Sequence, residues 1–399
     1  MAFISSRAGH IKVSPSNLAA QRARELKAAG RDIVNLGQGE PDFDTPAHVI
    51  DAAHKAAREG QTRYTNVDGT PALKAAVIEK FSRENGLAFK PENISVGNGG
   101  KQVIFNALMA TLDPGDEVIV PAPYWVSYTD MVLFAEGKPV CVATRPQDGL
   151  KLTPALLDAA ITPRTKWLLL NSPSNPSGAV YSAEELKALA GVLERHPHVW
   201  VLSDDMYEHI LFDGRRFATM AAVAPQLASR TLTVNGVSKA YAMTGWRIGF
   251  SGGPADLAKV MAKMQSQSTS SACSVSQAAA LAALAGPQAL VHERCAEFEA
   301  RRDRIHPVLA AIPGLECALP EGAFYFYPSC AGVIGKRTTQ GKVLASDEDV
   351  ALYLLDAGVS LVHGAAYGLS PYFRISFATS MDQLGEACRR IGAAFSDLK

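Results

Sequence analysis

The sequence predicts an α/β fold in which a mostly parallel, seven-stranded sheet lies between helices. Seven short apolar runs begin at Asn93 and read NISVG, DEVIVP, KPVCVA, KWLLLN, VWVLSD, TLTVN and RIGFS. Runs of this kind are typical of strands buried on both faces, and their alternation with helical patterns favours a parallel sheet. The different character of the two chain ends predicts a second, smaller α/β domain.

Helical patterns separate several of the predicted strands. KQVIFNALMATL follows NISVG, and AEELKALAGVLERH follows Ser182. Ser182 and Glu185 have the spacing of a capping box, in which each side chain binds a backbone N–H of the other residue. These stretches are therefore predicted to be helices that cover the sheet.

The two chain ends are predicted to form the small domain together. Residues 17–29 form a helical pattern closed by Gly30, and the C-terminal part contains a long polar helix, FEARRDRIHPVLAAI, followed by the strand-like segments GAFYFY and FRISF. We predict a large domain of residues 45–285 and a small domain of residues 1–44 and 286–399.

Composition argues against several classes of function. The 399 residues are 47% hydrophobic and 20% charged, and Lys+Arg and Asp+Glu are equal at 39 each, so no basic field attracts nucleic acid. The six cysteines form no C-x-x-C pair, so their spacing predicts reduced thiols and does not match a metal-binding pattern. No apolar run approaches the roughly eighteen residues of a membrane span, and the N-terminus lacks a secretory pattern. We expect a cytoplasmic protein without metal, nucleic-acid or membrane partners.

The segment NGVSKAYAMTGWRIGF, residues 235–250, gives the strongest chemical signal. It follows the predicted strand TLTVN and places Ser238, Lys239 and Arg247 on a glycine-containing frame. A lysine at a strand end can sit in a cleft, where desolvation and nearby cations favour the neutral amine required for Schiff-base chemistry. The hydroxyl and guanidinium suit a phosphate dianion. A solvated surface lysine is the alternative.

A second candidate phosphate site lies where GNGGK, residues 97–101, opens the predicted helix KQVIFNALMATL. Free backbone N–H groups and the helix dipole favour an anion there. The motif matches neither common nucleotide-binding spacing, so a glycine-rich turn without a ligand is the alternative.

Other polar residues sit at strand ends or inside apolar segments. Asp204 and Asp205 follow the strand VWVLSD, where a buried carboxylate needs a cationic partner, although helix capping is an alternative. Asn175 lies in the turn NSPSNPSG, and Trp125 in PAPYWVSY could be core packing. Arg374 lies inside FRISF, where either a bound carboxylate or an internal salt bridge would compensate its charge.

Residues 235–250 resemble, at every position, the pyridoxal-phosphate attachment pattern of class I aminotransferases, which are fold-type I enzymes. The resemblance runs from GQGEPDFDTP to FRISFATS, and GGKQ, PYWVSY, NSPSNPSGA and AYAMTGWRIG are typical of the bacterial Ib aspartate aminotransferases. It implies a homodimer that binds pyridoxal 5′-phosphate and transfers amino groups between aspartate, 2-oxoglutarate, oxaloacetate and glutamate by ping-pong kinetics.

The resemblance also implies roles for individual residues. Lys239 would attach the cofactor covalently and act as the catalytic base, and Asp204 would hold the proton on the pyridine nitrogen. The remaining cofactor contacts fall to Ser238, Arg247 and the main chain of Gly100 and Lys101 at the phosphate, Tyr207 and Asn175 at the 3′-oxygen, Trp125 on the ring, and Tyr64 at the phosphate of the neighbouring subunit. Asn175, Arg374, Trp125 and the backbone of Gly39 would bind substrate, with Arg374 on the α-carboxylate.

Some Ib enzymes also accept prephenate, and in these a K-P-S-A-T segment touches the distal part of the substrate. This chain has Lys12, Ser14 and Ser16 there, with the proline moved to position 15. Lys12 and Lys101 are the candidates for the distal carboxylate, although Lys101 could act only through its backbone and Lys12 could be a surface charge. The alternative functions are an aromatic or broad-range aminotransferase, a β-lyase or cyclising synthase with the same cofactor, and a non-catalytic effector-binding module.

Overall fold

The computed structural model describes residues 3–5, 8, 9, 11, 13 and 15–399, with the side chain of residue 16 excluded. The strands in chain order are β1 (Val34–Asn35), β2 (Ile94–Gly97), β3 (Glu117–Ala122), β4 (Lys138–Ala143), β5 (Thr165–Asn171), β6 (Trp200–Asp204), β7 (Thr231–Gly236), β8 (Gly249–Gly252), β9 (Tyr325–Phe326), β10 (Val359–Ser360), β11 (Val362–His363) and β12 (Phe373–Ser376). All seven apolar runs singled out in the sequence are strands β2 to β8.

The helices in chain order are α1 (Pro15–Ala28), α2 (Ala47–Arg58), α3 (Pro71–Asn85), α4 (Gly100–Thr111), α5 (Ser127–Phe134), α6 (Pro154–Ala160), α7 (Ala183–Glu194), α8 (Met220–Val223), α9 (Ala255–Ser266), α10 (Ser274–Ala285), α11 (Ala289–Ala310), α12 (Asp347–Asp356) and α13 (Met381–Ser396). The predicted capping box begins α7: the Ser182 hydroxyl accepts from the Glu185 N–H at 3.2 Å, and the Glu185 carboxylate accepts from the Ser182 N–H at 2.8 Å.

The large sheet is mostly parallel, as predicted. Its strand order is β2-β8-β7-β6-β5-β3-β4, and β8 runs antiparallel to both of its neighbours, whereas the other pairs are parallel. In β5, Trp167 and Leu169 pack with α4 and α9 on one face, and Leu168 and Leu170 pack with α7 on the other. Both faces are therefore buried, which is why the strand is a continuous apolar run.

Segments from both chain ends pair with each other. Strand β1 runs parallel to β10, with Val34 opposite Val359, and β11, β12 and β9 form a three-stranded antiparallel sheet. Val34, Phe298, Phe324 and further residues from both ends share one apolar core. The Ser376 N–H of β12 donates to the Leu36 carbonyl at 2.9 Å, so β12, which carries a candidate substrate residue, lies next to the N-terminal segment. The domain boundaries themselves stay a prediction.

In the described part of the chain, no single helix is both long and apolar enough to cross a membrane. The consecutive helices α10 and α11 are long and apolar enough only when they are counted as one segment, and the chain bends by 83° between them. All six cysteines are free thiols.

Candidate active site

A cavity of about 350 Å³ opens at the carboxyl ends of the parallel strands, where ligands bind in open α/β sheets. Strands β5 and β6 end there at Asn171 and Asp204, and the segment after β7 supplies Ser238 and Lys239. The cavity lining includes these candidates from the sequence: Gly39, Gly100, Lys101, Trp125, Asn175, Asp204, Tyr207, Ser238, Lys239, Arg247 and Arg374. The fold thus brings together residues from distant parts of the chain, from Gly39 to Arg374.

Lys239 is half-buried in the cavity. Its Nζ donates a hydrogen bond of 2.5 Å to the carbonyl of Gly39 and lies 5.8 Å from the centre of the Tyr207 ring. Burial, and after it repulsion from Arg374, lowers the pKa of Lys239 to about 8. About one tenth of the amine is then neutral at pH 7, far more than for an ordinary lysine, and a nucleophilic or basic amine requires this neutral form.

The start of α4 and the loop that follows β7 form a cationic corner, whose two cations are Lys101 and Arg247. Gly99 has φ +83°, and a side chain there would overlap the guanidinium of Arg247, which packs against its backbone. The first two N–H groups of α4, those of Gly100 and Lys101, precede its first backbone hydrogen bond, which Gln102 donates to the Gly99 carbonyl at 3.0 Å. Burial, and then repulsion from Arg247, lowers the pKa of Lys101. Unpaired N–H groups and two neighbouring cations are a suitable setting for a phosphate.

The two aspartates after β6 occupy different environments. Asp204 lines the cavity, is 6% exposed, and accepts hydrogen bonds from the Tyr128 hydroxyl at 2.5 Å and the Met206 N–H at 3.3 Å. Burial raises its pKa to about 6. Asp205 does not line the cavity and accepts from the Ser203 hydroxyl at 2.7 Å; burial raises its pKa well above the ordinary value. Only Asp204 can meet a ligand in the cavity.

Arg374 is buried without a carboxylate partner. Its guanidinium donates to the Asn175 side-chain oxygen at 2.9 Å and to the Gly37 carbonyl at 2.6 Å, and its Nε has no hydrogen-bond partner. The rings of Tyr325 and Tyr367 lie 4.4 Å and 5.3 Å from the guanidinium carbon. Among the residues that the structure describes, none forms an ion pair with Arg374, so the internal salt bridge is not found. Its charge is available to an anionic substrate.

Aromatic side chains shape the rest of the cavity. The Trp125 ring packs edge-on against Tyr128, with 5.3 Å between centroids, and the Lys101 ammonium lies 4.9 Å from the Trp125 ring. Tyr207 is buried, and its hydroxyl lies 2.7 Å from that of Tyr325. Trp125 is therefore a wall of the cavity and only partly core packing.

Four candidates lie elsewhere or cannot be placed. Tyr64 is 92% exposed and does not line the cavity. Lys12, Ser14 and the side chain of Ser16 lie outside the described residues. Asn17, at the beginning of α1, does line the cavity.

Sequence reasoning missed Tyr128 and Tyr325. Tyr128 lies in the segment PYWVSY, where the candidate residue is Trp125. Tyr325 lies in GAFYFY, whose pattern predicts only a strand. Asn171, at the end of β5, also went unnoticed; its amide donates to the Asp204 carbonyl at 2.9 Å. The position of Asn171 at a strand end was the signal that could have found it.

A model of the family described as aminotransferase class I and II matches residues 31–391. The chain belongs to this family. The aspartate aminotransferase of Rhizobium meliloti (strain 1021) is 58% identical over 390 residues, which cover 98% of this chain and 95% of that protein. The aspartate/prephenate aminotransferase of Cereibacter sphaeroides is 56% identical over 394 residues and 98% of both chains.

Solved structures of aminotransferases have the same fold. The aspartate aminotransferase from Rhizobium meliloti matches with a TM-score of 0.97 at 56% identity over the whole of both chains. The Thermus thermophilus aspartate aminotransferase with maleate matches with a TM-score of 0.91 at 42% identity, over 99% of this chain and all of that one. The fold is therefore fold-type I, as expected.

Class I aminotransferases depend on pyridoxal 5′-phosphate, and the cavity of this aminotransferase fits that cofactor. The bare start of α4 beside Arg247 suits its phosphate, and the amine of Lys239 suits its aldehyde. Asp204 is a buried carboxylate whose hydrogen-bond donors, Tyr128 and the Met206 backbone, are both neutral. A protonated pyridine nitrogen would supply the missing cation.

Proposed function

We propose that this chain is an aspartate aminotransferase, which transfers the amino group of aspartate to 2-oxoglutarate in a ping-pong cycle and yields oxaloacetate and glutamate. The observation that carries the proposal is the buried Arg374, which has no carboxylate partner among the described residues and shares a cavity with Lys239 and Asp204. The names of the Rhizobium and Cereibacter relatives support aspartate as a substrate. The Thermus structure with maleate, a four-carbon dicarboxylate, supports a site that accepts a dicarboxylate.

In this proposal, the cationic corner holds the cofactor phosphate through Ser238, Arg247 and the main chain of Gly100 and Lys101. Trp125 covers the ring, Tyr207 and Asn175 bind its 3′-oxygen, and Asp204 holds a proton on its ring nitrogen. When bound, the cofactor withdraws electrons from the substrate and so makes the Cα proton acidic.

Lys239 then moves that proton. Burial has lowered the pKa of its Nζ to about 8, so the amine loses its proton far more readily than an ordinary lysine and can act as a base near neutral pH. The Gly39 carbonyl accepts a hydrogen bond from Nζ and so orients the amine inside the cavity. Lys239 would take the Cα proton of the amino acid as a general base and, in the reverse half of the cycle with a keto acid, return a proton to Cα as a general acid.

Arg374 orients the substrate for this transfer. A carboxylate can accept two parallel N–H bonds from the guanidinium fork, and the neighbouring Asn175 amide adds a third polar group. We assign the distal carboxylate to Lys12 and Lys101, and the family resemblance adds the hydroxyls of Ser14 and Ser16 as substrate contacts. Prephenate is the second candidate keto acid, and the observation that favours it is the 56% identity to the Cereibacter enzyme named for both activities.

The proposed assembly is a homodimer in which Tyr64 reaches the cofactor phosphate of the neighbouring subunit. A tyrosine that is 92% exposed is consistent with a partner surface, since an aromatic ring gains little from solvent. We also propose the domain division at residues 45 and 285 and a cytoplasmic location.

A keto-acid panel with aspartate and glutamate as donors tests the proposed reaction. We expect 2-oxoglutarate and oxaloacetate to be aminated, and a separate prephenate arm tests the second candidate. Release of pyruvate or ammonia from amino acids without any keto acid would instead favour the lyase alternative. Borohydride reduction of the coloured protein should leave the cofactor attached to Lys239, and recovery at another lysine would contradict the assignment.

A further inference from the structure

Tyr325 touches both halves of the proposed machinery, although nothing in the sequence marked it. It is fully buried, lines the cavity, and its hydroxyl lies 2.7 Å from that of Tyr207. The face of the same ring lies 4.4 Å from the guanidinium carbon of Arg374. One side chain therefore contacts the residue proposed for the cofactor 3′-oxygen and the residue proposed for the substrate carboxylate.

The sheet register produces this contact. Strands β9 and β12 are antiparallel, and Tyr325 lies opposite Ser376. Arg374 is two residues before Ser376 on β12, so its side chain leaves the sheet on the same face. Diagonal neighbours of this kind are close enough for long side chains to touch. Gly39 leaves room for the arrangement, because a side chain there would overlap the Tyr325 hydroxyl.

The direction of the hydrogen bond between Tyr207 and Tyr325 follows from the single proton that each hydroxyl can donate. Burial raises the pKa of Tyr325 to about 12 and that of Tyr207 well above its ordinary value, so each phenol carries its single proton at neutral pH. If Tyr207 donates that proton to the cofactor 3′-oxygen, the proton between the two phenols comes from Tyr325. A hydroxyl that accepts a hydrogen bond also becomes a stronger donor.

We propose that Tyr325 is a positioning residue that donates to Tyr207 through its hydroxyl and holds the Arg374 guanidinium with its ring. This rests on the proposed function, since it assumes that Tyr207 binds the cofactor and Arg374 the substrate. The two contacts use different parts of one side chain, so different substitutions separate them.

Tyr325→Phe removes only the hydroxyl. We expect the pH midpoint of the cofactor's visible absorption band to move by about half to one pH unit, in the same direction as in Tyr207→Phe and by less. The KM for aspartate should stay within about twofold, because the ring still faces Arg374. In the double variant, Tyr325→Phe should add no further shift to that of Tyr207→Phe, because Tyr325 acts through Tyr207.

Tyr325→Leu also removes the ring, so we expect the KM for aspartate to rise about fivefold or more. Tyr327→Phe is the matched control: its buried hydroxyl donates to the Leu369 carbonyl at 3.0 Å and contacts neither Tyr207 nor Arg374. This control should lose some thermal stability without a shift of the absorption midpoint. An unchanged KM for aspartate in Tyr325→Leu would overturn the role of the ring. Should this variant fail to fold, Tyr325→Met is measured in its place, and the phenylalanine variants decide the role of the hydroxyl.

The outcomes separate this inference from the proposed function. An unshifted midpoint in Tyr325→Phe, or full additivity in the double variant, overturns the role of Tyr325 while leaving the aminotransferase assignment intact. An unshifted midpoint in Tyr207→Phe itself overturns both the role of Tyr325 and the proposed contact of Tyr207 with the cofactor.

Discussion

Replacing Asp204 by Asn tests the electrostatic centre of the proposed site. The substitution preserves size and leaves an oxygen that can still accept from the Tyr128 hydroxyl, so we expect the cofactor to stay bound. It removes the negative charge that would hold a proton on the cofactor ring nitrogen. A buried charged pair contributes about 3–5 kcal/mol, and where this contribution is lost at the transition state rather than in cofactor binding, kcat falls by about 10²- to 10⁴-fold.

Asp205→Asn is the matched control, because it makes the same chemical change one residue away. Asp205 faces away from the cavity and receives a hydrogen bond from Ser203, and burial raises its pKa well above the ordinary value. A carboxyl group that favours its neutral form resembles the neutral amide that replaces it. We expect kcat to stay within about threefold of the parent enzyme, since no group in contact with substrate changes.

The assay measures cofactor content by absorbance and kcat with aspartate and 2-oxoglutarate. Loss of activity with retained cofactor in Asp204→Asn, and near-parent activity in Asp205→Asn, is the expected result. A larger loss in Asp205→Asn, or a loss below tenfold in Asp204→Asn, would refute the assignment of the ring-nitrogen partner to Asp204.

Three further predictions concern attachment, assembly and specificity. Cofactor attachment to the apoprotein, followed by absorbance, should accelerate with pH through a midpoint near 8, because the neutral fraction of Lys239 rises through its lowered pKa; a midpoint near 10 would contradict this. Tyr64→Phe should weaken cofactor binding without dissociating the dimer, as measured by equilibrium dialysis and sedimentation; unchanged cofactor affinity would argue against its proposed role. Lys12→Ala and Lys101→Ala should lower kcat/KM for aspartate more than for alanine, whereas Arg374→Ala should weaken both, and equal losses in all three variants would place the distal site elsewhere.

The large sheet could be predicted from the sequence because a short run of neighbouring apolar residues marks each of its strands. Strand β5, for example, is apolar on both faces, and a strand of that kind needs covering layers on both sides. The antiparallel direction of β8 could not be predicted, since the apolar run RIGFS has the same pattern whichever way it runs.

Side-chain partners were harder to predict than strands. Arg374 was expected to need a charge partner, and the structure gives it the Asn175 oxygen, a backbone carbonyl and two aromatic faces instead. Tyr128 and Tyr325 lie in aromatic-rich segments, where a phenol that serves a site has the same pattern as one that serves the core. Their roles emerge only from contacts between distant parts of the chain, which no local pattern encodes.

These long-range contacts also explain why the site requires the two chain ends. The Lys239 amine bonds to Gly39, 200 residues away, and the Arg374 guanidinium bonds to Gly37, 337 residues away. Both acceptors are backbone carbonyls in the segment after β1, and β1 is held by its pairing with β10. The proposed base and the proposed carboxylate clamp are thus oriented by one short N-terminal segment. A displacement of that segment would move the acceptors of both groups together, so the proposed proton transfer and the proposed substrate orientation depend on the same segment.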